Sequence, residues 1–263
     1  HRLDTRMPLL TDPIAAVELL RSGAVVALPT ETVYGLGGHA LNPLSIRQIY
    51  ATKGRPAGHP VIVHLGDSAD WGEWGTMNPA AEALANAFWP GPLTLILPKR
   101  DAVPAEVTGG LPSVGIRVPS HPTFQAVLSE FGSGIAAPSA NRFGRVSPTT
   151  AAHVLSEFGD HMPVLDGGPC PIGIESTIVD VSGNQPALLR PGFISEDEIV
   201  AIVGPLGLSN TPAPGTLKSH YAPMTSLHLS TNVEADQKRF ESQGLSVAIL
   251  RASEPKSYAR HLY

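Results

Sequence analysis

Cysteine is nearly absent from this chain: Cys170 is the only one among 263 residues. A disulfide framework needs at least two cysteines and a thiolate zinc site needs a cluster, so both are excluded within the chain. Cys170 lies among prolines and glycines, and we expect a packed thiol rather than a nucleophile.

Charge is also sparse, and long apolar runs are missing. Charged residues make up 16% of the chain, the formal net charge is −5 and the pI is about 6.0. Strong direct binding to nucleic acid is therefore not expected. No apolar stretch approaches the length that spans a bilayer, and we recognise no signal peptide. We expect a cytoplasmic protein without a membrane partner.

Several well-known catalytic motifs are missing as well. The ten histidines include no H-E-x-x-H pair, and no Walker A loop or full G-x-G-x-x-G follows a strand. No G-x-S-x-G elbow surrounds Ser139, so a hydrolase triad is rejected. A nucleotide site in this chain would need a less common scaffold.

Short helices and apolar strands alternate along the chain, which predicts an α/β domain with a large, at least partly parallel sheet. Helix starts are predicted at Asp12-Pro13, Asn42-Pro43, Asn78-Pro79 and Ser147-Pro148, and a capping box joins Ser195 to Glu198. The predicted strands are 24–28, 61–65, 93–97, 114–118, 135–137, 164–166, 174–181 and 187–189.

The periodicity stops at Gly204, and proline, glycine, serine and threonine dominate up to Pro223. We interpret 9–203 as the main domain, 204–223 as a linker and 224–263 as a partial or short C-terminal domain. About forty residues cannot form a self-sufficient core. In this last segment we predict strands at 227–229 and 245–250 and a helix at 233–242.

The chain is organised around 28–38, where an apolar strand becomes rich in hydroxyls and glycine. Thr30 and Thr32 flank Glu31 at alternate positions, and glycines that follow let a ligand approach the backbone. A tight turn with surface threonines fits the residues equally well, and Glu31 has no clear catalytic role. A network partner for Lys53 or Arg55 is an equally open role for it.

Four charged or titratable side chains stand out elsewhere. Lys53 and Arg55 flank a glycine, which suits polyphosphate or carboxylate binding as well as a solvated turn. Arg117 lies in an apolar strand and requires an anion, either a structural carboxylate or a bound substrate. His64, in another apolar strand, is more typical of a hydrogen-bonded core residue than of a ligand.

Hydroxyl groups gather at two further strand ends. Ser139 and Asn141 follow one strand, Ser176 begins another, and Arg190 ends a third. Hydroxyls with scattered cations, and no metal cluster or activated nucleophile, suit the positioning of anionic, phosphorylated substrates.

Ten motifs follow one another in the sequence: LPTETVYGLG (28–37), KGRP (53–56), PVIVHL (60–65), WPGPLTLIL (89–97), GIRVPSHP (115–122), APSANRFGRVSPT (137–149), DGG (166–168), GIESTIVD (173–180), LLRPG (188–192) and APGTLKSHYAP (213–223). In these motifs the chain resembles the YrdC-like threonylcarbamoyl-AMP synthases, long form, over residues 9 to 223. Two short differences occur: GGHA stands where GANA is frequent, and GTLKSHYAP where GMKYRHYAP is usual.

The resemblance implies an open, twisted mixed sheet flanked by helices, with a linker and a short Rossmann-like C-terminal fragment. It implies synthesis of threonylcarbamoyladenylate and pyrophosphate from L-threonine, bicarbonate and ATP with Mg²⁺ bound mainly through ATP, for a downstream tRNA threonylcarbamoyltransferase machinery. The implied threonine pocket is Thr30, His64, Arg117 and Ser176. The implied ATP site is Lys53, Arg55, Thr108, Ser139, Asn141, Ser147, Arg190 and Tyr221, with Lys53 and Arg55 acting electrostatically in catalysis.

Two alternatives remain open at this stage. One is a carbamoyltransferase that uses carbamoyl adenylate, although the zinc-binding or transferase regions usual in such relatives are missing here. The other is an RNA-binding module, which the net charge of −5 disfavours.

Overall fold

The structure is a computed structural model that describes residues 9–56, 58–212, 226, 228–249 and 251. In this part of the chain, one mixed sheet has eight strands in the order β1-β2-β6-β3-β5-β4-β7-β8. The strands are β1 (Val26–Leu28), β2 (Gly35–His39), β3 (Ile62–His64), β4 (Leu93–Pro98), β5 (Ser113–Arg117), β6 (Ile135–Ala136), β7 (Thr177–Asp180) and β8 (Ala187–Arg190). The helices are α1 (Pro13–Arg21), α2 (Pro43–Lys53), α3 (Pro79–Phe88), α4 (Ala105–Thr108), α5 (Pro122–Phe131), α6 (Ala151–Phe158), α7 (Glu196–Val203) and α8 (Val233–Ser242), with a 3₁₀ helix at Trp71–Glu73.

Most helices begin where the sequence predicts. The side chains of Asp12, Asn42 and Asn78 each accept a hydrogen bond from a backbone N–H of the first turn, and proline follows each cap. The capping box of α7 is present, because Ser195 and Glu198 satisfy each other's backbone N–H groups. These local hydrogen bonds define the residue at which each of these helices begins.

Alternation along the central strands gives the sheet two different faces. On one face, Val63, Leu95, Ile116 and Val179 belong to the main hydrophobic core. Side chains at alternate positions point to the opposite face. There the apolar contribution is a small cluster of Ile62, Ile96 and Ile178, with Leu189 partly buried against it. The second face therefore has room for polar groups.

Strand directions bring the polar positions to one edge of this second face. β3 and β5 run parallel with His64 opposite Arg117, whereas β4 is antiparallel to β5 and parallel to β7. The ends of β3 and β5 therefore meet the beginnings of β4 and β7. This register places His64, Arg117, Thr94 and Ser176 near one another, although they are far apart in sequence.

A second core lies between the sheet and helices α1 and α5. Val26, Leu28 and Ile135 pack there against Phe124 and Val127. This packing holds the first strand, and with it the polar stretch that follows, against the rest of the sheet.

The structure differs from the sequence interpretation in several elements. Residues 35–39, predicted as part of a glycine turn, form β2. This strand pairs antiparallel with β1, so the polar segment 29–34 is the loop that connects the two strands. α6 is capped by Thr150 and not by Ser147. Residues 164–166 form isolated bridges with Leu10 and Ala27 and no full strand. The short helix α4 was not predicted.

The C-terminal segment is described only in part. α8 lies where the sequence predicts a helix, and its N-cap is Asn232. Within 228–230 and 245–249, which the structure describes, no strand forms at the two predicted places. The linker residues from 213 to 223 lie outside the described residues.

Candidate functional site

A cavity opens on the second face of the sheet, at the edge defined above. Its walls come from the segment after β1, from β3 and β5, from the segment after β6, and from the segments at the start of β7 and the end of β8. The lining residues are Thr30, Thr32, Val33, Gly35, Arg55, Ile62, His64, Arg117, Ala137, Pro138, Ser139, Glu175, Ser176 and Arg190.

Arg117 is buried at the base of this cavity beside a carboxylate of the chain itself. Its Nη2 lies 2.7 Å from Oε1 of Glu31, and the two side chains are 4% and 6% exposed. Neither Glu31 oxygen has a well-directed hydrogen bond among the described residues, so the contact is ionic in spite of its short distance. The remaining bonds of the guanidinium run from Nε to the Gly91 carbonyl and from Nη1 to Thr32 Oγ1.

The threonines after β1 form a compact hydrogen-bonded turn. The Thr30 hydroxyl bonds the Thr32 hydroxyl at 2.8 Å and the Val33 carbonyl at 2.7 Å, and it accepts from the backbone N–H groups of both residues. Because Thr32 also accepts from Arg117, this turn is held rigidly against β5. Both hydroxyls face the cavity from a fixed position.

His64 contributes a neutral imidazole to the cavity. Its pKa is lowered to about 3, mainly by burial and to a smaller extent by the nearby positive charge of Arg117. The ring packs against Phe124, with ring centroids 5.4 Å apart. Its Nδ1 has no hydrogen-bond partner among the described residues, which leaves a neutral polar atom for a ligand.

Ser176 and Arg190 form the opposite wall. The Ser176 hydroxyl lies 2.8 Å from Thr94 Oγ1 and accepts a 3.0 Å bond from Arg190 Nη2. Arg190 Nε also donates to the Ser176 carbonyl at 3.0 Å. β7 and β8 pair antiparallel, and this pairing brings the arginine at the end of β8 alongside the serine that precedes β7.

Glu175 is an acidic group within this otherwise cationic wall. Its Oε1 accepts a 2.6 Å hydrogen bond from Ser147, and its Oε2 lies 3.8 Å from Arg190 Nη2. Glu175 directly precedes Ser176 in the sequence but was not predicted as a site residue. The signal available in the sequence was its position directly before a hydroxyl-rich strand start.

Lys53 lies beneath the loop that carries Ser139 and Asn141. Its Nζ donates to the backbone carbonyls of both residues, and the side chain does not line the cavity. Burial lowers the pKa of Lys53 to about 7; Arg55 lowers it as well, whereas Glu175 and Glu157 act in the opposite direction. Lys53 therefore holds this loop by two hydrogen bonds and, when protonated, acts on the cavity through its charge.

The other predicted ATP-side residues are distributed around the cavity. Arg55 lines it and donates to the Pro60 carbonyl at 2.8 Å. Thr108 is buried at the end of α4, with its hydroxyl 3.4 Å from the Ala105 carbonyl, and it does not line the cavity. Asn141 binds the Arg142 and Arg145 carbonyls behind the wall. Tyr221 lies outside the described residues.

Seven of the predicted residues thus line one cavity, and Glu175 is the one acidic residue that lines it with them. Glu31, whose role the sequence left open, forms an ion pair with Arg117. The seven lining residues are Thr30, Arg55, His64, Arg117, Ser139, Ser176 and Arg190.

The chemistry of the cavity is that of binding and positioning. Burial raises the pKa of the Cys170 thiol to about 12, which fits the expected packed thiol.

Among the described residues, no group of three histidine, cysteine, aspartate or glutamate side chains could hold a metal ion. The same residues include no helix that is long and apolar enough to cross a membrane.

These features define an α/β protein with an open mixed sheet and a cationic, hydroxyl-lined cavity on one face. Residues 18–192 match the Sua5/YciO/YrdC family model, described as telomere recombination, and 194–263 match a model described as the C-terminal domain of threonylcarbamoyl-AMP synthase. The chain belongs to this family, and the resemblance drawn from its motifs is confirmed.

Curated relatives carry the name threonylcarbamoyl-AMP synthase. One from Bacillus subtilis is 46% identical over 81% of this chain and 64% of its own length. One from Pyrococcus abyssi is 38% identical over 89% of this chain and 75% of its own length. The chain therefore spans about two thirds to three quarters of these relatives.

Solved structures show the same fold. A crystal structure of P. abyssi Sua5 complexed with L-threonine superposes with a TM-score of 0.87, at 33% identity, over 97% of this chain and 87% of that one. Escherichia coli YciO, at 22% identity and a TM-score of 0.61, shares the fold. The predicted mixed α/β sheet is confirmed.

Proposed function

We propose that this protein is an L-threonylcarbamoyladenylate synthase. It converts L-threonine, bicarbonate and ATP into threonylcarbamoyl adenylate and pyrophosphate, as a nucleotidyltransferase that serves a tRNA modification. The names of the relatives and the threonine complex of the P. abyssi protein support this proposal. Its product would pass to a tRNA threonylcarbamoyltransferase machinery in the cytoplasm.

One observation carries the proposal: a single cavity places an amino-acid-sized polar pocket next to a phosphate-binding wall. Arg117 would bind the carboxylate of threonine, while Thr30, His64 and Ser176 would surround its amine and hydroxyl. Arg55 and Arg190 would face the phosphates of ATP. The two substrates would then meet within the cavity.

The division of the chain is part of the proposal. The domain 9–203 would carry the chemistry, 204–223 would be a linker beside the site, and 224–263 would belong to a C-terminal domain. Tyr221 in the linker, together with Thr108, Asn141 and Ser147, would complete the surroundings of ATP.

The proposed mechanism relies on positioning and charge. The threonine amine attacks the carbon of bicarbonate, water leaves, and a carbamate forms on nitrogen. A carbamate oxygen then attacks the α-phosphorus, and pyrophosphate leaves. Arg55, Arg190 and Lys53 offset the negative charge that builds up on the phosphates, and no covalent enzyme intermediate forms.

The donor set fits a Mg²⁺ ion that arrives with ATP. Glu175 is the one carboxylate among the lining residues, and it already accepts from Ser147, so the described residues offer no cage of carboxylates. Mg²⁺ binds through substrate phosphates and few protein ligands in many such sites. When bound, the ion would neutralise phosphate charge.

Pyrophosphate release tests the proposal directly. The purified protein is incubated with ATP, Mg²⁺, L-threonine and bicarbonate, and parallel reactions omit threonine or bicarbonate. Release that requires both supports the synthase. Release without threonine would favour a carbamoyltransferase-type reaction, and no release from folded protein would reject the synthase.

A further inference from the structure

A carboxylate inside a proposed phosphate-binding wall needs an explanation, because it opposes the binding of an anion. Glu175 is the only acidic residue that lines the cavity in the described part of the chain, whereas three arginines line it. Its side chain is 14% exposed, so water screens its charge only in part.

The partners of Glu175 are the groups that the proposed function assigns to ATP. One carboxylate oxygen accepts from Ser147 at 2.6 Å, and the other lies 3.8 Å from Nη2 of Arg190. The charge of Glu175 also acts on Lys53, whose pKa it raises. A hydroxyl, a guanidinium and an ammonium are the donors that a phosphate group would use.

We propose that Glu175 is a specificity-determining residue that holds Ser147 and Arg190 in the ligand-free protein and that a phosphate must displace. The proposal rests on the proposed function, because it takes ATP as the ligand. Each ligand that contacts Ser147 and Arg190 must first compensate for the loss of the Glu175 contacts. Weakly charged anions cannot do so, whereas a polyphosphate offers several charged oxygens at once.

The chain provides a matched control in Glu157. Its side chain is 16% exposed, close to the 14% of Glu175, and it too raises the pKa of Lys53. However, Glu157 accepts from the Arg142 backbone and from Arg145, outside the cavity. Removing either charge changes the net charge equally, but only the removal at Glu175 takes a negative charge from the proposed phosphate position.

The test is calorimetric titration of the full chain with Mg-ATP, and separately with tripolyphosphate. Glu175→Gln should bind both probes about tenfold more tightly than wild type, because a like charge next to the phosphates is gone. Glu157→Gln should bind within about twofold of wild type. Glu175→Asp keeps the charge but withdraws it by one methylene, and its affinity should lie between the two.

Thermal unfolding without ligand shows whether each variant folds. If Glu175→Gln does not fold, the affinity of Glu175→Asp is compared with that of wild type instead. An equal gain in affinity in Glu175→Gln and Glu157→Gln would overturn the proposal, because the long-range electrostatic effect of removing one negative charge would then explain it. Weaker binding in Glu175→Gln would also overturn it, because Glu175 would then support the ligand. If wild type binds neither probe, the proposed function itself fails, which differs from a failure confined to the variants.

Discussion

Glu31 and Arg117 form a buried ion pair, with Oε1 and Nη2 2.7 Å apart at the base of the cavity. The sequence left open whether the anion for Arg117 is a carboxylate of the chain or a substrate. In this structure the chain supplies it. Arg117 therefore has two separable roles, a structural one towards Glu31 and a proposed one towards threonine.

The structural role predicts a non-additive pair of substitutions. Arg117→Met should lower the free energy of unfolding by about 3–5 kcal/mol, because the charge of Glu31 stays buried without its counter-ion. The double variant Arg117→Met/Glu31→Gln should be more stable than Arg117→Met alone, since neither charge remains. Urea unfolding of wild type, both single variants and the double variant measures this coupling. Additive effects would show that the two charges do not stabilise each other.

The proposed substrate role predicts that threonine binding stays weak in the double variant. Loss of the guanidinium should weaken threonine binding by about 2 kcal/mol or more, even after stability is regained. Titration with threonine, with Mg-ATP binding as the control, separates this effect from general damage. Unchanged threonine affinity would remove Arg117 from the pocket.

Burial of Lys53 predicts a pH-dependent stability. Its pKa is about 7 in the folded protein and 10.5 when unperturbed, so the unfolded chain binds more protons between these values. The contribution of Lys53 to the free energy of unfolding therefore rises with pH in this window, by about 1 kcal/mol per pH unit. Urea unfolding at pH 7.5 and 9 should show a smaller rise in Lys53→Met than in wild type.

A matched lysine outside the cavity controls for other titrating groups. Lys99 is partly exposed, and its Nζ lies 3.5 Å from the Val103 carbonyl. Lys99→Met should keep the slope of wild type. An identical slope in Lys53→Met would mean that Lys53 stays charged in the folded state.

The low pKa of His64 predicts an imidazole that stays neutral throughout the physiological range. With a pKa of about 3, its ring nitrogens should show no titration between pH 5 and 8 in ¹⁵N-detected NMR. In Arg117→Met the pKa of His64 should rise, because the positive charge of Arg117, which lowers it, is gone. Free imidazole in the same sample serves as the pH control, and a His64 midpoint near 6.5 would contradict its burial.

The sequence predicts seven of the eight strands of the described sheet, and seven of the predicted site residues line the cavity. Arg117 stands out because a cation in an apolar strand needs an anion, and Ser139 and Ser176 stand out as hydroxyls at strand ends. β2 was missed because its sequence, Gly35–His39, is rich in glycine, which is typical of turns. Only pairing with β1 and β6 makes it a strand, and such long-range pairing leaves no local signal.

The partners of Glu31 and Glu175 could not be predicted from the sequence, because they depend on contacts between distant segments. The role of Glu31 stayed open, because the sequence gives no measure of which cation the fold brings close. Glu175 was seen only as a neighbour of Ser176. Its role depends on the distance to Ser147, 28 residues away, and to Arg190 on the next strand.

Close packing behind the phosphate-binding wall predicts that Gly192 cannot carry a side chain. A Cβ at this position would lie 2.5 Å from the backbone nitrogen of Thr177 and 2.7 Å from the Glu175 carbonyl oxygen. Gly192→Ala should therefore push this segment away from Arg190, lower the free energy of unfolding by about 1–3 kcal/mol and weaken Mg-ATP binding.

Gly183 offers the matched control, because a Cβ there would meet no atom within 4 Å. Gly183→Ala should stay within about 0.5 kcal/mol of wild type and bind Mg-ATP normally. Urea unfolding and calorimetry on both variants measure the two effects together. If Gly192→Ala loses stability but binds Mg-ATP as wild type does, the wall of Ser176 and Arg190 does not contact the nucleotide. Equal free energies of unfolding of the two variants would instead mean that the backbone near Thr177 can move to accommodate a Cβ without loss of stability.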